Sequence, residues 1–288
     1  MIDFDRAYRV IKAGSNRFEV DSSQGVIVCH SRKKVRLKGE VLAGDLVYLE
    51  CYGDDVVIRD IKPRKNSLIR PSVANVDQIA AIVSPFPEPD YFLLDKLILN
   101  CHARGIDCIL CVNKTDLCDL TEEMKKQYGS AVKNIMGISA VCGNADGLMS
   151  LMSGKITCLA GQSAVGKSSL INLLAGKKLQ DVGGLSDKIL RGRNTTTVTS
   201  LIKLDENTYV ADSPGFSMLD VFDIKADDID LYYDEYVEAS CRCRYHRCTH
   251  ITEPDCEVKR MVDAGILSKE RYERYKIIST ALKAGKKY

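Results

Sequence analysis

The sequence predicts an α/β protein in three parts: a small β-barrel, a domain built on a parallel sheet, and a helical C-terminal domain with a metal site. Three observations carry this prediction. Short strand-like segments fill the first seventy residues, apolar runs alternate with helical stretches from Val76 onward, and four of the 12 cysteines lie between Cys241 and Cys256. A chain of 288 residues has room for two or three domains. We place them at 1–72, 73–222 and 223–288.

The composition is typical of a globular protein, with 45% hydrophobic and 28% charged residues. No run of 18 apolar residues is present, and the N-terminal sequence MIDFDRAYRVIKAG lacks the pattern of a signal peptide. We therefore expect a cytoplasmic protein with no membrane partner. Five cysteines inside apolar runs are expected to be buried thiols rather than disulfides: Cys29, Cys101, Cys108, Cys111 and Cys158.

The N-terminal segment is predicted to form a five-stranded barrel of the oligonucleotide-binding (OB) type, whose face and loops commonly bind nucleic acid. An SH3-like or sandwich module without a role in RNA binding is the alternative. Turn residues such as Gly and Asp separate the predicted strands, which span residues 17–20, 25–29, 34–36, 46–51 and 56–61.

Positive charge is concentrated at both ends of the chain. Lys and Arg number 14 against 10 acidic residues in 1–72, 14 against 16 in 73–222, and 12 against 7 in 236–288. A basic run in the barrel by itself could be a solvated strand face, but two basic ends favour a polyanionic partner. The run consists of Arg32, Lys33, Lys34, Arg36 and Lys38.

The middle of the chain reads as an α/β domain. Fully apolar strands that alternate with helices are typical of a parallel sheet covered on both faces. Strands are predicted at 78–83, 107–112, 134–138, 155–160, 198–204 and 208–212, with helices near 91–104, from Thr121 and from Lys167. After an acidic stretch at 223–235, a helical tail is predicted from Ser268. Its apolar stripe is expected to pack in a core: Tyr272, Tyr275, Ile278 and Leu282.

A phosphate-binding loop is predicted between the strand at 155–160 and the helix from Lys167, because the sequence there fits G-x-x-x-x-G-K-[ST]. Its glycines let backbone N–H groups surround phosphate oxygens at a helix N-terminus. Lys167 is expected to reach the β and γ phosphates, and the Ser168 hydroxyl to bind Mg²⁺. The predicted phosphate-binding residues are Gly161, Gln162, Ser163, Ala164, Val165, Gly166, Lys167, Ser168 and Ser169.

A base-recognition motif is predicted where the strand at 107–112 ends. The residues there are Asn113, Lys114, Thr115 and Asp116, an N-K-x-D sequence. A carboxylate can accept the ring N–H and the exocyclic amino group of guanine, and adenine offers no such pair of donors on that edge. Open α/β sheets bind ligands at the ends of their strands, which strengthens this interpretation. After the next strand, Ser139 and Ala140 could supply a backbone N–H to the guanine carbonyl.

A second Mg²⁺ and γ-phosphate motif is predicted from Asp212-Ser213-Pro214-Gly215, which ends an apolar strand. Asp212 would hold Mg²⁺ through water, and the Gly215 N–H would sense the γ-phosphate. A polar loop from Leu185 to Thr197 precedes this motif and ends in three threonines, Thr195 to Thr197. One of them is expected to bind Mg²⁺, and we assign this role to Thr196. The base motifs precede the phosphate motifs, the reverse of ordinary GTPases, as in a circular permutation.

A structural zinc site is predicted from Cys243-x₄-Cys248-x-His250-x₅-Cys256. Three thiolates and one imidazole close a tetrahedral site and leave no position open for catalysis. Cys241 and His246 are further candidate ligands that spacing alone does not exclude.

The barrel, the permuted motifs and the zinc pattern together resemble the bacterial ribosome small subunit-dependent GTPase A family over essentially the whole chain. The resemblance implies an OB-type barrel, a circularly permuted P-loop GTPase and a C-terminal zinc domain. It implies Mg²⁺-dependent GTP hydrolysis, stimulated by the 30S subunit and its rRNA, late in maturation of that subunit. It also assigns Asn113, Lys114 and Asp116 to guanine and Gly161 to Ser169 to phosphates, with the four residues above as zinc ligands.

The sequence departs from that family at the hydrolysis machinery. Ala164 stands where the family usually has glycine, and Asn194 replaces a histidine implicated in catalysis. Phe216 follows Gly215, where regulatory GTPases place a glutamine that orients water. An Asn amide can orient water but cannot accept a proton as a base. The alternatives are an ATP-dependent enzyme such as a small kinase, which Asp116 disfavours, and an RNA-binding scaffold that binds GTP but hydrolyses it poorly.

Overall fold

The structure, a computed structural model, describes residues 2–69, 71–182, 199–212 and 224–284. The chain divides into two compact units. One comprises the residues up to Gln78, Ala145–Leu159 and the described residues from 168 to 212. The other comprises Ile79–Asn144, Ala160–Lys167 and the described residues from 224 onward. The bounds of the three domains inferred from the sequence stay predictions.

Strands dominate the N-terminal part of the chain, strands and helices alternate from Gln78 to Val182, and helices dominate the C-terminal part. The N-terminal elements are β1 (Ala7–Ala13), β2 (Arg17–Ser22), β3 (Gly25–Ser31), α1 (Lys33–Lys38), β4 (Leu46–Tyr52), β5 (Asp55–Ile61), β6 (Ser67–Leu68) and β7 (Val73–Ala74). Next come β8 (Gln78–Val83), α2 (Tyr91–Ala103), β9 (Asp107–Val112), α3 (Thr121–Tyr128), β10 (Asn134–Gly137), α4 (Asp146–Met152), β11 (Ile156–Ala160) and α5 (Lys167–Val182). The last are β12 (Ser200–Asp205), β13 (Thr208–Asp212), a 3₁₀ turn (Ile229–Tyr232), α6 (Asp234–Ser240), α7 (Glu257–Asp263) and α8 (Lys269–Lys283).

The first unit contains a closed five-stranded barrel. β1 pairs antiparallel with both β2 and β4, β2 pairs with β3, and β5 joins β3 to β4, so the ring of strands closes. Alternate side chains point inward, as strand geometry requires. The fully buried interior residues include Val10, Val20, Val47, Leu49 and Ile58. The predicted OB-type barrel is confirmed.

One of the five predicted barrel strands is wrong. Residues 34–36 lie in the helix α1, and the fifth strand is β1 instead. Val35 is buried in this helix while Leu37 is 80% exposed, although the two would lie on the same face of a strand. The basic run is therefore not a strand face. Its first residue, Arg32, forms an ion pair with Glu50 at 2.9 Å and lies over the ring of Tyr52.

The rest of the first unit extends outward from the barrel. β12 pairs with β1 and forms an antiparallel hairpin with β13, and β11 runs parallel to β13. β11 is buried along its whole length. Because β11 and β13 are parallel, Asp212 ends its strand at the same sheet edge as the carboxyl end of β11.

The second unit has its own strands in the order β10-β9-β8, of which β9 and β10 run parallel. α2 begins after Asp90, whose carboxylate accepts the Leu93 N–H, and its apolar face is buried. α8 begins after Ser268, whose hydroxyl accepts the Arg271 N–H. Tyr275 of α8 is fully buried in a tyrosine-rich core.

Most predicted elements of the middle and end of the chain are confirmed, including β8, β9, β13 and the helices from Thr121, Lys167 and Ser268. The short helices α4, α6 and α7 were not predicted. Cys29, Cys101, Cys111 and Cys158 are buried as expected, whereas Cys108 is only partly buried near the exposed start of β9. In the part of the chain that the structure describes, no helix is long and apolar enough to span a membrane.

Candidate functional site

The predicted phosphate loop lies between the strand and the helix that its mechanism requires. It follows β11 and leads into α5, which begins at Lys167. Gly161 has φ +142°, and a Cβ there would lie 2.1 Å from the Ile82 carbonyl oxygen. Gly166 has φ +97°, and a Cβ there would lie 2.3 Å from Asn113 Nδ2. Both positions therefore exclude any side chain, which explains the glycines of the motif.

The loop surrounds the Lys167 ammonium. Lys167 Nζ donates to the carbonyl oxygens of Gly161 at 2.7 Å and Gln162 at 2.5 Å, and burial lowers the pKa of this lysine. The cation thus stands among the backbone groups of the loop, where phosphate oxygens can replace the two carbonyls as its partners. Ser168 and Ser169, in the first turn of α5, are exposed, as are Ser163 and Ala164 in the loop, while Val165 is buried.

Asn113 joins the base motif to the phosphate loop. This buried side chain donates from Nδ2 to the Val165 carbonyl at 2.8 Å, and its Oδ1 accepts the Ala140 N–H at 3.1 Å. Lys114, which has φ +63°, donates from Nζ to the Ala164 carbonyl at 2.8 Å. The sequence predicted these two motifs to share one ligand, and the structure brings them into direct contact.

Asp116 is the exposed carboxylate of the base motif. Its Oδ1 accepts a hydrogen bond from the Ser139 hydroxyl at 2.5 Å, which fixes the orientation of the carboxylate. The Thr115 hydroxyl donates to the Ile138 carbonyl at 3.0 Å, so it already has a partner within the protein. The Ala140 N–H, which we expected to be open to a guanine carbonyl, already donates to Asn113.

A segment that sequence reasoning missed adjoins this site. Residues 84–90 follow β8, and Gln162 holds them: its Oε1 accepts the Asp90 N–H at 2.8 Å and its Nε2 donates to the Glu88 carbonyl at 3.2 Å. Lys114 Nζ also donates to the Phe86 carbonyl at 2.5 Å. The three prolines of this segment were the available signal, because a rigid loop after a strand of an open α/β sheet is a frequent ligand-binding position.

The remaining nucleotide-site predictions are only partly within the described residues. Asp212 ends β13, as predicted. Asn194, the threonines at 195–197, among them Thr196, and Gly215 lie outside the residues that the structure describes.

A cluster of one histidine and three cysteines can hold a metal ion. One ligand atom from each residue lies within 4.8 Å of the others, and three of the four residues are buried: the cluster is Cys243, Cys248, His250 and Cys256. His250 Nδ1 lies 3.7 Å from Cys243 Sγ and 3.3 Å from Cys256 Sγ, and the two sulfurs are 3.9 Å apart. Tetrahedral zinc with bonds of about 2.3 Å to S and 2.0 Å to N requires S–S and N–S separations of about 3.8 and 3.5 Å. The donor set therefore fits zinc.

Two polar groups lie close to His250, one near its ring and one at its backbone. Asp230 Oδ2 lies 3.9 Å from its Nε2, a position from which a carboxylate can support a metal-bound imidazole. Tyr272 donates from its hydroxyl to the His250 carbonyl at 2.6 Å. Cys241 and His246, the two further candidates, are both exposed and lie outside the cluster. Of the candidates that spacing left open, the structure brings these four residues together, and their assignment as zinc ligands stays a prediction.

Comparisons with known proteins agree with this geometry. The family model described as RsgA GTPase matches residues 61–222. "Small ribosomal subunit biogenesis GTPase RsgA" of Ruminiclostridium cellulolyticum is 41% identical over 78% of this chain and 75% of that protein. The protein of the same description in Caldanaerobacter subterraneus is 37% identical over 93% of this chain and 92% of its own.

Two solved structures are similar over nearly the whole chain. The crystal structure of YjeQ from Thermotoga maritima has a TM-score of 0.80 and 32% identity, and covers 96% of this chain and 98% of its own. The structure of YloQ, described as a circularly permuted GTPase, has a TM-score of 0.76 and 29% identity, and covers 98% of this chain and 96% of its own. The motif order, the site geometry and these similarities agree, and the chain belongs to the RsgA GTPase family.

Proposed function

We propose that this protein is a GTPase that acts in maturation of the small ribosomal subunit, with hydrolysis of GTP to GDP and phosphate stimulated by the 30S subunit. The observation that carries the proposal is the direct junction of two motifs, in which Asn113 and Lys114 donate to the carbonyls of Val165 and Ala164. One guanine nucleotide can therefore contact both. The role in subunit maturation rests on the names of relatives that match most of the chain.

The residues of the site have distinct proposed roles. Asp116 accepts hydrogen bonds from the guanine edge, Asn113 keeps the base motif and the phosphate loop in register, and Lys167 holds the β and γ phosphates. The first turn of α5 directs N–H groups at the phosphates. Gly215 is assigned to sensing of the γ-phosphate, and Asn194 to orientation of the attacking water.

Two metal ions belong to the proposal. Mg²⁺, bound with GTP, would neutralise the charge that develops on the phosphates. Ser168, Thr196 and Asp212 are the residues we assign to it. A single structural Zn²⁺ is assigned to the Cys/His cluster, where a full set of four protein ligands leaves no position for a substrate.

The partner is proposed to be the 30S subunit through its rRNA. Net positive charge at both ends of the sequence is suited to a phosphate backbone, and the OB-type barrel is a fold that often binds single-stranded nucleic acid. Neither a membrane nor DNA is part of the proposal. Because ribosomal subunits mature in the bacterial cytoplasm, we place the protein there.

A single-turnover GTPase assay with and without purified 30S subunits tests the proposal. We expect slow hydrolysis by the protein alone and a faster rate with the subunit, and competition by unlabelled GTP but not by ATP. Failure to bind guanine nucleotide would refute the assignment of the site. Binding without stimulated hydrolysis would favour the second candidate, an RNA-binding scaffold with a slow nucleotide site, which the presence of Asn194 rather than histidine motivates.

A further inference from the structure

A proline-rich segment beside the phosphate loop presents an exposed aromatic ring. Residues 84–90 include Pro85, Pro87 and Pro89, whose rings restrict the backbone to a narrow range of φ. Pro85 and Pro89 are buried, whereas Phe86 is 62% exposed. The segment is thus anchored on both sides of an apolar ring that it holds in solvent.

Both nucleotide motifs hold this segment in place. Lys114 Nζ donates to the carbonyls of Phe86 at 2.5 Å and Ala164 at 2.8 Å. On the other side, the Gln162 amide of the phosphate loop bonds to the backbone of Glu88 and Asp90. The Phe86 backbone therefore has a fixed position relative to the base motif and the phosphate loop before any ligand binds, so only the side-chain rotamer remains to be ordered on binding.

The path of a bound nucleotide passes this ring. A ligand whose base edge meets Asp116 and whose phosphates enter the loop must lie along the Lys114 side chain, which runs from the end of β9 to the Ala164 carbonyl. The Phe86 carbonyl accepts a hydrogen bond from the ammonium end of that side chain, so the Phe86 backbone adjoins the same path. Every base has a π face that an aromatic ring can stack on.

We propose that Phe86 is a further nucleotide-binding residue, which stacks on the guanine ring of the bound nucleotide. The proposal rests on the function proposed above and adds a second mode of base recognition. Asp116 selects guanine by its hydrogen-bonding edge, and Phe86 covers a face of the base and contributes affinity that does not depend on that edge.

Paired binding measurements test this assignment on the full chain. Calorimetry measures the binding of GDP and of inorganic triphosphate, which has no base, to the native protein, Phe86→Ala and Phe92→Ala. Phe92→Ala is the control, because it removes a second exposed phenylalanine, which is 40% exposed on α2. We expect Phe86→Ala to weaken GDP binding about tenfold, within the range for base stacking, and to leave triphosphate binding unchanged. Phe92→Ala should change neither.

A fluorescence measurement gives a second readout. The sequence contains no tryptophan, so Phe86→Trp introduces the single indole of the protein. Stacking predicts quenching of its emission by GDP and none by triphosphate, and no quenching by either ligand in Phe92→Trp.

The outcomes separate the two proposals. Native GDP binding that Phe86→Ala leaves unchanged, or weakens equally for GDP and triphosphate, would overturn the stacking role and keep the nucleotide site. Absence of GDP binding by the native protein would overturn the proposed function, and the role of Phe86 with it.

Discussion

A buried carboxylate on α2 is expected to be one of the most stabilising side chains of the second unit. Asp95 is fully buried, and its two oxygens pair with two arginines of α8, Oδ1 with Arg271 Nε at 3.1 Å and Oδ2 with Arg274 Nε. Arg271 also pairs with Glu235, and Arg274 donates to the Tyr128 hydroxyl at 3.0 Å. Both guanidinium groups are almost fully buried, so each depends on these partners.

Replacement of Asp95 leaves the positive charge of Arg274 buried with neutral hydrogen-bond partners, the Tyr128 hydroxyl and the Gln127 amide oxygen. Removal of one member of a buried ion pair costs about 3–5 kcal/mol, because the remaining charge loses its compensation. We therefore expect Asp95→Ala to lower the free energy of unfolding by that amount. Asp95→Asn keeps one acceptor oxygen and the shape of the side chain, so it should cost less than Asp95→Ala.

The assay is urea unfolding, followed by near-ultraviolet circular dichroism of the tyrosines, since the chain has no tryptophan. The control is Glu122→Ala, which breaks the pair between Glu122 and Lys125, whose side chains are 86% and 50% exposed. Such a surface pair should contribute less than about 0.5 kcal/mol. A cost below about 1 kcal/mol for Asp95→Ala, or equal costs for Asp95→Ala and Glu122→Ala, would refute the reasoning.

Four further predictions concern the site and the partner. Asp116→Asn should weaken GTP binding about 100-fold and improve XTP binding in a titration, because an amide donates where the carboxylate accepted. The control Asp107→Asn, at the opposite end of β9, should change neither affinity. Cys256→Ser should remove the one zinc per chain, as measured by elemental analysis, and should loosen the tyrosine core without abolishing nucleotide binding. Stoichiometric zinc in this variant would contradict the proposed ligand set. Replacement of the three basic residues at 32–34 by glutamate should weaken 30S binding in sedimentation assays and make it less sensitive to salt. If salt does not affect binding of the native protein, the contact is with protein and not with rRNA. Asn194→His should raise stimulated GTP turnover only modestly, because phosphoryl transfer depends mainly on positioning; a rise of about 100-fold would mean that a general base is needed.

The sequence alone determined the parts of this protein that local rules govern. Gly161 and Gly166 identify the phosphate loop in the sequence. Their backbone conformations and close contacts exclude a side chain, so only glycine fits at these positions. Short apolar runs located β8, β9 and β13, because a strand that is buried in a parallel sheet is apolar along most of its length. The motif order along the chain, and with it the permutation, also needs no coordinates.

The tertiary structure decided what depends on residues distant in sequence. The Cys/His cluster includes Cys243 and not Cys241, because Cys241 is exposed, and motif spacing does not show which side chain lies inside the fold. The helix α1 lies where a strand was predicted. A basic segment of six residues has too few apolar positions for their spacing to distinguish a short helix from a short strand. Gln162, Phe86 and Asp95 have partners between 28 and 179 residues away. These contacts are hydrogen bonds and ion pairs that form only when the chain folds, so the local sequence does not identify the partners.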